Sequence, residues 1–155
     1  MLKSVHRVQY GKMMGSLLSR RKLFDDWAAG YDESVSRDEE FPFNGYERLL
    51  DTICEQAHLR TGQLVLDLGT GTGNLAARLL KSDCTVQATD FSEVMLEQAR
   101  IKLPDVQFVK ADLLHKWPRE LSSHFDRIVS SYVLHEFDLE TALLVFLLLT
   151  EHYIL

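Results

Sequence analysis

The chain has 155 residues, of which 46% are hydrophobic, 26% charged and 10% aromatic. That size suits one domain burying roughly 68–70% of its unfolded surface, and it excludes both a pair of independent domains and an intrinsically disordered chain. The formal charge of −6 hides an uneven distribution. Residues 1–24 carry six Lys or Arg and no acid, whereas residues 25–155 carry 11 basic and 23 acidic side chains. An acidic body excludes simple electrostatic binding of nucleic acid, which requires clustered Lys and Arg.

The basic head, residues 1–22, reads as an N-terminal extension or disordered tail, with Met13-Met14 as an alternative start. It is Arg- and Ser-containing and acid-free, so a transit peptide is the other reading, but it lacks the apolar core of a secretory signal. Residues 23–155 form the expected domain. Cys54 and Cys84 match no metal-ligand spacing and suggest small buried hydrophobes in a reducing, cytoplasmic setting. The six histidines are spaced without a metal-site pattern. Ala142–Leu149 is strongly apolar, yet far shorter than the roughly 18 residues of a membrane span, so a buried helix is expected and no membrane partner.

Along the chain, Leu23–Ala29 is a short helical patch that Gly30-Tyr31-Asp32 is expected to break. Ser34–Glu40 follows as an acidic solvated loop or lid, closed by Pro42. Tyr46, Leu49, Leu50, Ile53 and Ala57 recur at three- and four-residue intervals, which predicts an amphipathic helix over 44–59. Leu64–Leu68 is an apolar run ending in glycines, as a buried parallel strand should be. A helix over Asn74–Lys81 and a strand over Thr85–Thr89 come next, then a helix capped by Ser92 that runs to Leu103, before Pro104. Val106–Val109 and Phe125–Ser131 are the third and fourth strands, and a last apolar helix starts at Asp138.

Strands alternating with helices imply an α/β, Rossmann-like parallel sheet with helices on both faces. Ligands in such sheets bind at the carboxyl ends of the strands. The first strand ends in Asp67-Leu68-Gly69-Thr70-Gly71-Thr72-Gly73-Asn74. Glycines at alternate positions let the backbone turn sharply and a ligand come close. The dinucleotide pattern Gly-x-Gly-x-x-Gly wants its third glycine where Asn74 stands, so a nicotinamide-dependent oxidoreductase is disfavoured. Asp90 ends the second strand, where a carboxylate can accept both hydroxyls of a ribose. Asp112 follows the third strand. An edge carrying Asp67, Asp90 and Asp112, with no Lys or Arg in the glycine loop, suits a cationic adenosine ligand better than a pyrophosphate. S-adenosylmethionine has that character.

The stretches 24–32 (FDDWAAGYD), 65–74 (VLDLGTGTGN), 88–96 (ATDFSEVML) and 125–136 (FDRIVSSYVLHE) together resemble the class I S-adenosylmethionine-dependent methyltransferases, of the small bacterial kind with an N-terminal helical lid. The resemblance implies that Gly69, Thr70, Gly71 and Gly73 line the methionine moiety and that Asp67 organises that loop. It implies that Asp90 binds the ribose, with Phe91 and Met95 beside the adenine and Ala111 and Asp112 at its edge. Ser130 would lie near the methionine part, Tyr31 in the lid, and His135 where an acceptor approaches. A plainer reading stands beside each role: Asp67 satisfying turn N–H groups, Asp112 capping a helix, Phe91 and Met95 as core, Tyr31 as packing, His135 as structural. The reaction implied is methyl transfer to a small-molecule acceptor, yielding S-adenosylhomocysteine.

The family's fold continues beyond a fourth strand, so the chain is expected to show a C-terminally truncated version with sheet order 3-2-1-4. Its fourth strand then becomes an edge, with one row of backbone groups along Ile128–Ser131 left able to pair. The rival reading is a truncated, non-catalytic binding or assembly domain.

Overall fold

The computed structural model describes residues 17–36, 43–113, 115, 117–134 and 137–153. Helices α1 (Leu17–Trp27) and α2 (Tyr31–Ser36) flank a 3-10 turn at Ala28–Gly30. They are followed by α3 (Tyr46–Ala57), β1 (Leu64–Leu68), α4 (Asn74–Leu79), β2 (Thr85–Asp90), α5 (Glu93–Lys102), β3 (Gln107–Lys110), β4 (Arg127–Ser130) and α6 (Leu139–Tyr153).

The four strands form one sheet in the order β3-β2-β1-β4, all pairs parallel, as expected. The register places Leu68 beside both Thr89 and Ser130, and Asp90 beside Lys110, so the carboxyl ends of the strands share one edge. Central β1 is buried on both faces and is accordingly apolar except at Asp67. Val65 faces a core with Leu50, Leu75, Leu79, Val86, Leu96 and Phe108, built by the helices of one side. Leu66 and Leu68 face the other core, with Val109, Leu113, Leu121, Phe125, Val145 and Leu149.

Local chemistry accounts for the element starts. Ser92 accepts the Met95 N–H at 3.1 Å and caps α5, as expected, and Asp138 accepts the Thr141 N–H at 2.9 Å ahead of α6. Gly73, at φ +84°, turns the chain from the glycine loop into α4.

The N-terminal segment departs from expectation in two respects. The boundary drawn at residue 22 falls inside helix α1, which is described from Leu17. Gly30-Tyr31-Asp32 does not break the helical path: the chain tightens to a 3-10 turn and Tyr31 opens α2. Aromatic packing explains the continuity, because Trp27 lies 4.9 Å from Tyr31 and 5.6 Å from Phe43, and its indole N–H reaches Ser34 Oγ at 3.1 Å. Residues 34–36 of the expected acidic loop belong to α2; residues 37–42, like 1–16, lie outside the described residues.

β4 pairs only with β1 among the described residues. On α6, Val145 and Leu149 pack on the sheet while Leu143 and Leu144 are more than half exposed. The helix therefore has a buried stripe and an exposed apolar one, rather than being buried all round. No described helix is long and apolar enough to cross a membrane.

Candidate functional site

One pocket opens along the carboxyl edge of the sheet, about 830 Å³ including the solvent at its mouth. Gly69 and Gly71 come from the turn after β1, and Asp90 and Phe91 from the end of β2, with Met95 behind them on α5. Ala111 and Asp112 follow β3, Ser131, Tyr132 and Val133 follow β4, and Tyr31 and Phe24 close it from the helical segment.

The three glycines do three different things. A Cβ at Gly69 would meet Val133 Cγ2 at 2.1 Å, so this glycine lets the chain leaving β4 cross over the turn. Gly71, at φ +56°, has nothing within 4 Å of a Cβ and faces open space in the pocket. Gly73 faces Ala99 of α5 and Leu103 just after it, and serves packing. The single purpose expected of all three is thus divided.

Asp90 is 7% exposed and ties the site together. Its Oδ2 accepts the Gly71 N–H and its Oδ1 the Ser92 N–H, each at 2.9 Å. Burial pushes its pKa up to about 6 against those two donors, and Asp25 adds to the rise. Asp67 is fully buried and accepts from Thr70 Oγ1 at 2.7 Å, bracing the turn from below. Its other oxygen has no hydrogen-bond partner among the described residues. Burial raises its pKa to about 7, opposed by the Thr70 hydroxyl and increased by Asp90.

Of the residues singled out in the sequence, Tyr31, Gly69, Gly71, Asp90, Phe91, Met95, Ala111 and Asp112 line this pocket. Asp67, Thr70, Gly73 and Ser130 are not among its lining residues. Ser130 is turned away because its hydroxyl donates to the Leu68 carbonyl at 2.9 Å; its neighbour Ser131 takes the wall position. Among the described residues no helix starts after Asp112, whose carboxylate meets His115 Nδ1 at 3.1 Å. His135 lies outside the described residues.

Arg20, Phe24, Thr89, Leu113, Ser131, Tyr132, Val133 and Phe137 also line the wall, though none is among the site residues expected from the sequence. Arg20 falls in the expected tail and Phe24 before the expected break at Gly30. The spacing of Phe24, Ala28, Tyr31 and Val35 at three- and four-residue intervals is the signal that could have revealed one helical path. Tyr132 carries no such signal. It sits in the left-handed region at φ 55°, which brings its ring within 5.4 Å of Tyr46 and 5.9 Å of Phe43. That conformation is costly for a bulky residue, on the order of 1–3 kcal/mol, and such strain concentrates at functional walls.

Residues 65–147 match the family model described as a methyltransferase domain. The chain belongs to this family. It is 39% identical over 117 residues to an uncharacterized methyltransferase of Anoxybacillus flavithermus and 42% identical to one of Geobacillus sp. WCH70. In each case the match covers 73% of this chain and 52% of the relative, so the chain spans about half the length of the curated relatives it matches. Among solved structures it resembles magnesium protoporphyrin IX methyltransferase of Synechocystis PCC 6803, crystallised with bound S-adenosylmethionine. That likeness has a TM-score of 0.65 at 21% identity and covers 86% of this chain and 72% of the other, and it shows the shared fold.

Proposed function

We propose that this chain binds S-adenosylmethionine in the strand-edge pocket and supplies the cofactor half of a methyltransferase for a small-molecule acceptor. The observation that carries the reading is Asp90, a carboxylate at the end of β2 that lines the pocket beside the open space at Gly71. The donor set fits the ligand. An acidic acceptor suits ribose hydroxyls, the glycine loop has no cation to suit a pyrophosphate, and Phe91 and Met95 offer an apolar flank to an adenine.

When bound, the cofactor supplies an electrophilic methyl group on a sulfonium. The chain's own residues orient and shield it. Asp90 would hold the ribose and, through its bonds to Gly71 and Ser92, keep the two loops beside it in register. Asp67 would hold the glycine turn through Thr70. Tyr31, Phe24, Tyr132 and Val133 would exclude water from the methyl-transfer space, where positioning and desolvation carry much of the acceleration. The cofactor-binding domain then comprises the expected residues 23–155 together with the start of helix α1. The unbridged Cys54 and Cys84 support a cytoplasmic setting.

Radiolabelled methyl transfer from S-adenosylmethionine to cell metabolites tests the reading, with transfer expected and its loss expected in Asp90→Ala. No transfer by a folded chain carrying the relatives' full length would contradict it. A second reading, a binding or assembly domain without turnover, is favoured by one observation: among the described residues β4 is paired on one side only. Cofactor binding without transfer in that longer chain would support it.

A further inference from the structure

We infer that Asp25 and Asp32, on the two N-terminal helices, are positioning residues that latch the helical segment to the two backbone stretches joined by Asp90; this rests on the cofactor reading above. Asp25 Oδ1 accepts the Ser92 hydroxyl at 2.5 Å, across 67 residues of sequence. The same serine caps α5 and gives its N–H to Asp90. Asp32 Oδ1 accepts the Thr72 hydroxyl at 2.5 Å and Asn74 Nδ2 at 3.0 Å, while its Oδ2 pairs with Lys102 Nζ at 2.7 Å. Thr72 adjoins Gly71, whose N–H goes to the other oxygen of Asp90.

The contacts therefore run as a circuit, from Asp25 through Ser92 to Asp90, and from Asp90 through the Gly71–Thr72 backbone to Asp32. Both ends of the circuit lie on the segment that carries Phe24 and Tyr31 to the pocket wall. A carboxylate accepting a hydroxyl is a short, charge-assisted bond, stronger than a neutral one. The Lys102 pair is partly exposed and counts for less. Lifting the helices must break both carboxylate contacts, and so releases both loops that hold Asp90. The segment acts as a latch on ligand exit as well as a wall.

The test compares wild type with Asp25→Ala/Asp32→Ala, with Asp32→Asn, and with Lys22→Ala as control. Lys22 pairs with Asp26 on the exposed side of α1. Stopped-flow displacement of S-adenosylhomocysteine is expected to show dissociation at least tenfold faster in the double variant, with association unchanged or faster. Asp32→Asn keeps Asp25 and a neutral acceptor for Thr72, so its dissociation is expected to fall between wild type and the double variant, and Lys22→Ala is expected to match wild type. Amide exchange in the free protein is expected to rise over residues 17–36 in the double variant and to stay unchanged in the strands. Equal dissociation rates in wild type and double variant would overturn the inference, as would a matching loss through Lys22→Ala. If wild type binds no S-adenosylhomocysteine, the cofactor reading fails first, and unchanged exchange over 17–36 would then sink the latch independently.

Discussion

Val133 Cγ2 occupies the place beside Gly69 where a side chain would begin: a Cβ there would stand 2.1 Å away. Gly69 also has φ +68°. The left-handed backbone costs an L-residue roughly 1–2 kcal/mol, and overpacking typically adds about 1–3 kcal/mol. Gly69→Ala should therefore destabilise by about 2–5 kcal/mol in urea unfolding, and Val133→Ala should recover part of the loss in the double variant. Additive losses would show that the crossing at Gly69 is not the constraint.

Gly71 makes the opposite prediction. Its φ of +56° carries the backbone cost, but a Cβ there meets nothing within 4 Å. Gly71→Ala should cost only about 1–2 kcal/mol of stability while weakening S-adenosylmethionine binding at least tenfold. Titration calorimetry beside urea unfolding separates the two effects; a variant with full affinity would move the ligand away from this turn.

Stability should depend on pH through the buried carboxyls. Asp67 has its folded pKa raised from 3.8 to about 7, and Asp90 from 3.8 to about 6. Each binds its proton more tightly when folded, so the stabilisation is complete below about pH 4 and is lost as pH rises towards 7. Asp67→Asn keeps an acceptor for Thr70 and removes the titration. It should flatten the decline between pH 4 and 7 in urea unfolding, and the variant should exceed wild type at pH 8. Identical pH slopes in the two proteins would contradict the assignment.

The exposed apolar face of α6 carries an expectation for solution behaviour. Leu143 and Leu144 are 54% and 53% exposed. Exposed apolar surface promotes association. Leu143→Glu/Leu144→Glu should lower light scattering at high concentration and leave S-adenosylhomocysteine affinity within twofold. Unchanged scattering would place the association surface elsewhere.

Much of this architecture is legible in the residues because local and tertiary preferences agree. The apolar run Leu64–Leu68 is a central strand for the reason that makes it apolar, burial on both faces. Ser92 announces its helix through the cap it forms. The N-terminal segment departs from expectation because Gly30 is locally a breaker, and the packing of Trp27 on Tyr31 and Phe43, with its indole N–H on Ser34, outweighs it. Tyr132 and Val133 reach the pocket wall through a left-handed turn and a close crossing over Gly69, neither of which has a periodic signature. Ser130 and Ser131 differ only in which way the strand end points them, a matter of register with Leu68 that composition does not encode.

The central claim is most directly tested by calorimetric titration of the chain with S-adenosylmethionine and S-adenosylhomocysteine, with NAD as control, in wild type and Asp90→Ala. The account predicts saturable binding of both sulfur ligands, none of NAD, and a loss of at least tenfold in affinity in the variant. Binding of NAD alone, or S-adenosylmethionine binding indifferent to Asp90, would contradict it.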